Sequence, residues 1–184
     1  DLGLRDVAAV QGDLRHGLRV PRARAGHDRP WHDRAVSDTR ISVTDTLDAP
    51  VERVFALLAD PDRHPDLDGS GTVHSSHTHL AITEVGDVFV IEMDHPDRGR
   101  YRVENHVVVY EPDRALAWKP AAVGKPPSGH VWGWELEPDG DDRTVVTHYH
   151  DWAEVTDPEI LGRVREVSPD EMRMTIGNLA EALA

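Results

Sequence analysis

The sequence predicts an α+β domain in which a curved antiparallel sheet of about seven strands wraps around a long C-terminal helix. Three observations carry that expectation. An alternating segment at Ile41–Leu47 runs into a short helix with one apolar face. A succession of short strands follows, joined mostly by tight turns, and a single capped amphipathic segment closes the chain. Strands linked by short turns pair as antiparallel meanders, whereas parallel pairing needs long crossovers.

Each element has a local reason. Ile41, Val43 and Leu47 alternate with Ser42, Thr44 and Thr46, the pattern of a half-buried strand. Asp45 falls on the apolar side of that alternation, and a position near the strand end, where water or a turn amide satisfies it, is the expected reason. Pro50 suits a helix start, and Val51, Val54, Phe55 and Leu58 recur at helical spacing until Pro61 ends the run. A second, very short helix is expected over 62–68. Strands follow near 71–80, 87–94, 100–110, 115–119, 130–137 and 143–152. The connection 119–129 holds three prolines and two glycines, which marks it as a rim or lid. Thr156 with Glu159 and Ser168 with Glu171 have capping-box spacing, and Pro169 follows at the first helical position. Met172, Ile176, Leu179 and Leu183 then form the stripe that the sheet must cover.

The chain of 184 residues fits one domain. Residues 1–39 read as an extension, a helix over 1–20 and then irregular chain, and the ligand-binding domain is expected at 40–184. The formal charge of −14 is uneven: residues 1–40 carry +2 and the remainder −16. An acidic body repels phosphate backbones, so no nucleic acid is expected as a partner. No stretch reaches the roughly 20 apolar residues of a membrane span. There is no cysteine, which excludes disulfides and thiolate chemistry. The first residues lack the pattern of a secretory signal, so a cytoplasmic location is expected.

The motifs that would carry chemistry are incomplete. Asp66, Asp68, Ser70 and Gly71 imitate half of a calcium loop, but His77 stands where the bidentate glutamate belongs and no exit helix follows. The same glycines precede a strand, which rules out a phosphate cradle. His77 with His79, and His148 with His150, each share a strand face, yet such pairs commonly line a polar surface; no metal and no cofactor are expected. No nucleophile elbow occurs.

The strands instead carry a consistent large apolar face. Phe89, Ile91 and Met93 alternate on one strand, Leu116 and Trp118 on the next but one, and Trp132, Trp134 and Leu136 on a third. With Val103 and the helix residues Met172 and Ile176, they are the expected lining of an apolar cavity. Tyr101 and Asn105 share the face of Val103. Tyr149 shares a face with Thr147 and Asp151, and the pattern alone leaves open whether that face points inward. These three are the candidate catalytic or ligand-orienting residues.

The segment ISVTDTLDAPVERVFALLADPDRHPDLDGSGTV resembles the opening of polyketide-cyclase-like members of the SRPBCC (START-like) superfamily. The stretches VGDVFVIEM, VENHVVVYEPDRALAW, WGWELEP and VTHYHDW are similar to its successive strands. The resemblance covers about Arg40 to Ala184 and implies the helix-grip fold. It also implies a hydrophobic small molecule as partner, aromatic or polyketide-like and drawn from secondary metabolism. Members include carriers, cyclases or aromatases that fold a polyketide chain and move a proton, and proteins that protect antibiotic producers by sequestering the product. Whether this chain is an enzyme stays open, as does a homodimer.

Overall fold

The computed structural model describes residues 38–184. The expected helix over 1–20 and most of the arm that follows lie outside the described residues. The elements run β1 (Arg40–Leu47), α1 (Val51–Leu58), a 3-10 turn (Pro61–Arg63), α2 (His64–Leu67), β2 (Val73–Ser76), β3 (Val88–His95), β4 (Gly99–Glu111), β5 (Ala115–Ala122), β6 (Val131–Pro138), β7 (Thr144–Asp151), α3 (Pro158–Val164) and α4 (Pro169–Leu183). All pairings are antiparallel, in the order β1-β7-β6-β5-β4-β3-β2. This is the helix-grip α+β arrangement that the element order predicts.

Only one connection in the sheet is long-range. β1 pairs with β7 along its whole length, from Arg40 opposite Asp151 to Leu47 opposite Thr144. The α1–α2 segment crosses the sheet between β1 and β2, which lie at opposite edges. All four apolar positions of α1 are buried, as the helical spacing requires. Helix α4 buries Met172, Ile176, Leu179 and Leu183 and packs on β1, β7, α1 and α2.

The loop after α2 is bolted to α4. The Asn178 amide donates to the carbonyls of Leu67 and Asp68, and Gly69 N–H donates to the Thr175 hydroxyl. A Cβ on Gly69 would lie 2.3 Å from the Glu171 carbonyl oxygen, so only glycine allows this approach. The Asp68 carboxylate accepts from the N–H groups of Ser70, Thr72 and Val73, which makes it the organiser of the turn into β2. Ser168 caps α4 by accepting from Asp170 N–H, and Asp157, one residue after the expected Thr156, caps α3.

Two boundaries differ from expectation. β2 covers only Val73–Ser76, because His79 turns into the left-handed region (φ 51°) and its ring bonds the Asp62 carboxylate. β5 continues through Pro120 to Ala122, so the rim loop is 123–130 rather than 119–129. Asp45 is exposed and accepts its neighbour Thr46 N–H, which agrees with the solvated reading. Among the described residues no helix is long and apolar enough to cross a membrane.

Candidate functional site

Period-2 alternation assigns each strand residue to one of two faces, and pairing carries the assignment from strand to strand. The inner face, toward the helices, is anchored by Ile41, Val43 and Leu47, which lie opposite His150, His148 and Thr144. Across β6 these continue as Trp132 opposite His150, Trp134 opposite His148 and Leu136 opposite Val146. Trp118 and Leu116 of β5 lie opposite Trp132 and Trp134. Val107 and Tyr110 of β4 follow on either side of a bulge at Val107/Val109. Phe89, Ile91 and Met93 of β3 complete the face opposite Asn105, Val103 and Tyr101.

The structure therefore brings together on one face Phe89, Ile91, Met93, Tyr101, Val103, Asn105, Trp118, Trp132 and Trp134. Met172 and Ile176 face the same core from α4. Their exposure is graded. Phe89, Ile91, Asn105, Trp134, Met172 and Ile176 are buried, whereas Met93, Tyr101, Val103, Trp118 and Trp132 are half-buried. The half-buried group sits toward the end of the sheet that carries the β3–β4 turn and the 123–130 loop. That loop is held by close packing, since a Cβ on Gly129 (φ 100°) would lie 2.6 Å from the Glu154 carbonyl oxygen. The Asn105 amide donates to the Phe89 carbonyl at 3.5 Å, a long bond at the buried floor.

Tyr149 is placed differently. It lies on the outer face, over Gly133 and under the Arg40 guanidinium, 3.8 Å from the ring centroid. Burial raises its phenol pKa. A molecule on the inner face has no access to it, so its expected ligand-orienting role does not fit the geometry.

The residues that sequence reasoning set aside are the histidines. Trp134 stacks on His148 with centroids 3.9 Å apart, and Trp132 stacks on His150 at 4.0 Å. His130, just before β6, meets His150 through a ring-nitrogen contact of 3.0 Å, Nδ1 to Nε2. On the other side His64 of α2 stacks on Trp118 at 5.4 Å and meets Phe89 edge-on. The result is a continuous band of indole and imidazole rings across β5, β6, β7 and α2. The signal was present as Trp-x-Trp on one strand and His-x-His on the next, but only their register makes them one wall.

These imidazoles are neutral at ordinary pH. Burial lowers the pKa of His148 and His130 to about 4 and that of His150 to about 3, where the neighbouring His130 and His148 add to the effect. Burial likewise lowers His64. His148 donates from Nδ1 to the Gly133 carbonyl, which leaves its Nε2 as the unprotonated nitrogen. His64 donates from Nε2 to the Leu58 carbonyl, which leaves Nδ1 as an acceptor. The wall thus presents aromatic faces and unprotonated ring nitrogens, which accept hydrogen bonds. Among the described residues no group of three or more His, Asp or Glu converges as metal ligands. His77 follows β2 and His148 lies on β7, two strands far apart in the sheet order. A groove of about 470 Å³ near the β4–β5 turn is lined by Glu111, Asp113, Arg114, Glu135 and Glu137 together with Val51, Ala115, Leu136 and Pro138.

Residues 38–184 match the family described as "Polyketide cyclase / dehydrase and lipid transport". Over 113 residues the chain is 34% identical to the Uncharacterized protein Rv0088 of Mycobacterium tuberculosis, a match covering 61% of this chain and 47% of that protein. The chain therefore spans about half the length of the curated relatives it matches. Protein Ms6760 from Mycobacterium smegmatis is structurally similar, with a TM-score of 0.59 at 16% identity over 79% of this chain and 92% of that one. Protein CV1439 from Chromobacterium violaceum has a TM-score of 0.57 at 16% identity over 80% and 98%. Likeness at such identity speaks to the fold alone.

Proposed function

The chain belongs to the polyketide cyclase / dehydrase and lipid transport family, and from that premise we propose that residues 40–184 bind a planar, aromatic or polyketide-like small molecule on the inner face. The observation that carries the reading is the half-buried pair Trp118 and Trp132, paired across β5 and β6. Each is flanked by a neutral, stacked imidazole. Large aromatic side chains left partly open on an otherwise buried face offer contact area that folding has not used. Phe89, Ile91, Met93 and Val103 extend the apolar contact, and Tyr101 and Asn105 stand where they orient ligand oxygens.

Titration with 2-methoxynaphthalene, followed by tryptophan fluorescence, tests this. The expected outcome is saturable quenching, with affinity weakened about tenfold in Trp132→Ala, the scale of one lost aromatic contact, and unchanged in Tyr149→Ala. Absence of saturable quenching, or an equal loss in both variants, removes the reading.

A second reading, a cyclase of a polyketide chain, is favoured by the neutral imidazoles beside the wall, since bases held neutral near an oriented substrate suit proton transfer. Sequestration of a reactive product in secondary metabolism would use the same wall without turnover.

A further inference from the structure

The His130–His150 pair offers more than a binding wall requires. We propose that His150 and His130 form a proton relay that takes the proton from an acidic hydroxyl or enol of the bound aromatic molecule and delivers it to solvent. The inference deepens the binding function above and rests on it.

His150 is 1% exposed and its ring is turned to the inner face by the alternation of β7. One ring face lies on Trp132, Trp152 stands 5.5 Å away, and Ile41 is opposite on β1. Its Nε2 meets His130 Nδ1 at 3.0 Å. Its Nδ1 is buried and has no hydrogen-bond partner among the described residues. A buried polar atom without a partner carries an uncompensated desolvation cost, and native structures rarely leave one in place without a use. Here the orphan nitrogen belongs to a ring stacked on the half-buried Trp132, where a ligand oxygen can supply the missing bond.

His130 provides the outlet, because it is partly exposed at the end of the 123–130 loop. The titratable groups that act on His150 are His130 and His148, and its other named neighbours, Trp132, Trp152 and Ile41, carry no charge. A buried imidazolium is disfavoured there, so a lone His150 would be a poor base at neutral pH. A relay avoids that charge. The ligand O–H bond breaks and its electron pair stays on oxygen. The proton goes to His150 Nδ1, the Nε2 proton of His150 passes to His130 Nδ1, and the Nε2 proton of His130 leaves to water. Both rings begin and end neutral, the 3.0 Å bond persists with its donor and acceptor exchanged, and nothing is oxidised or reduced.

Two probes matched in shape, 2-naphthol and 2-methoxynaphthalene, test the relay. The folded wild type should bind 2-naphthol about tenfold more tightly, the scale of one hydrogen bond, and the bound, photoexcited 2-naphthol, a strong photoacid, should emit as naphtholate. His150→Phe should abolish the preference, read as the ratio of the two affinities within that variant. His130→Phe should keep the preference and lose the naphtholate emission. A readout on wild type alone is the 15N spectrum of the histidine rings, in which the His150 Nδ1 signal should move with 2-naphthol and stay with 2-methoxynaphthalene. Equal affinity for both probes, an unmoved Nδ1 signal, or naphtholate emission that survives both variants overturns the relay and leaves the binding function standing. Failure of both probes to bind overturns the two together.

Discussion

The two faces of the β6–β7 pair are built from alternate residues of the same sixteen positions and follow opposite rules. The inner face carries Trp132, Trp134, His148 and His150, stacked in register and uncharged. The outer face carries Gly133, Tyr149 and Glu135, with Arg40 from β1 over the tyrosine and paired to Glu135 at 2.9 Å. A Cβ on Gly133 would stand 2.2 Å from the Tyr149 ring, so the glycine exists to let that ring lie flat. The difference teaches where polar chemistry is held out of water. The outer tyrosine and its charges remain partly solvated, whereas the inner histidines lose their charge to burial.

Truncation separates the faces most strongly. Trp134 is 3% exposed and stacked on His148, so Trp134→Ala should cost about 3–5 kcal/mol in urea unfolding. Tyr149→Ala, on the outer face, should cost about 1 kcal/mol. Comparable losses would erase the comparison.

Acid tests the charge difference. The unfolded histidines titrate near 6.5, and folded His130, His148 and His150 near 4, 4 and 3. Above both values the rings are neutral in both states and the stability is complete. As pH falls through 6.5 the unfolded chain takes up protons first, so stability is lost from there down to the folded values. The slope is about 1.4 kcal/mol per pH unit for each such proton. Unfolding free energies at pH 7, 6 and 5 should therefore decline steeply, less so in His148→Gln, and with unchanged slope in Tyr149→Phe. A flat profile would mean that the inner wall is not dry.

The smallest effect sharpens the outer face alone. Gly133→Ala should destabilise by about 1 kcal/mol by lifting the Tyr149 ring off the strand, and most of that cost should vanish in a Tyr149→Ala background. Additive losses in the double variant would place the strain in the backbone instead.

Much of the fold was legible in the residues. The four apolar positions of α1, the Ser168–Pro169 start of α4 and the Met172–Leu183 stripe follow from local spacing, which needs no partner to be read. Boundaries that depend on contacts were not. β2 ends early because His79 finds Asp62, and β5 outlasts Pro120 because Val103–Asn105 pair with 120–122. The lining residues Phe89, Trp118, Trp132 and Trp134 could be set on one face because each strand mixes large apolar with polar residues. In β7, TVVTHYHD, both phases hold polar and aromatic members, so Tyr149 and His148 were equally eligible.

The sequence by itself determined the order of elements and which residues of each strand share a side, because a pleated chain has a fixed period of two. Only the tertiary structure decided which side of β7 faces the helices, since that follows from the register of Trp134 with His148 and of Val43 with His148. It also decided that burial lowers the pKa of four histidines and that two of them meet ring nitrogen to ring nitrogen. Those properties come from burial and from a 3.0 Å contact between residues twenty positions apart, and no local pattern encodes either.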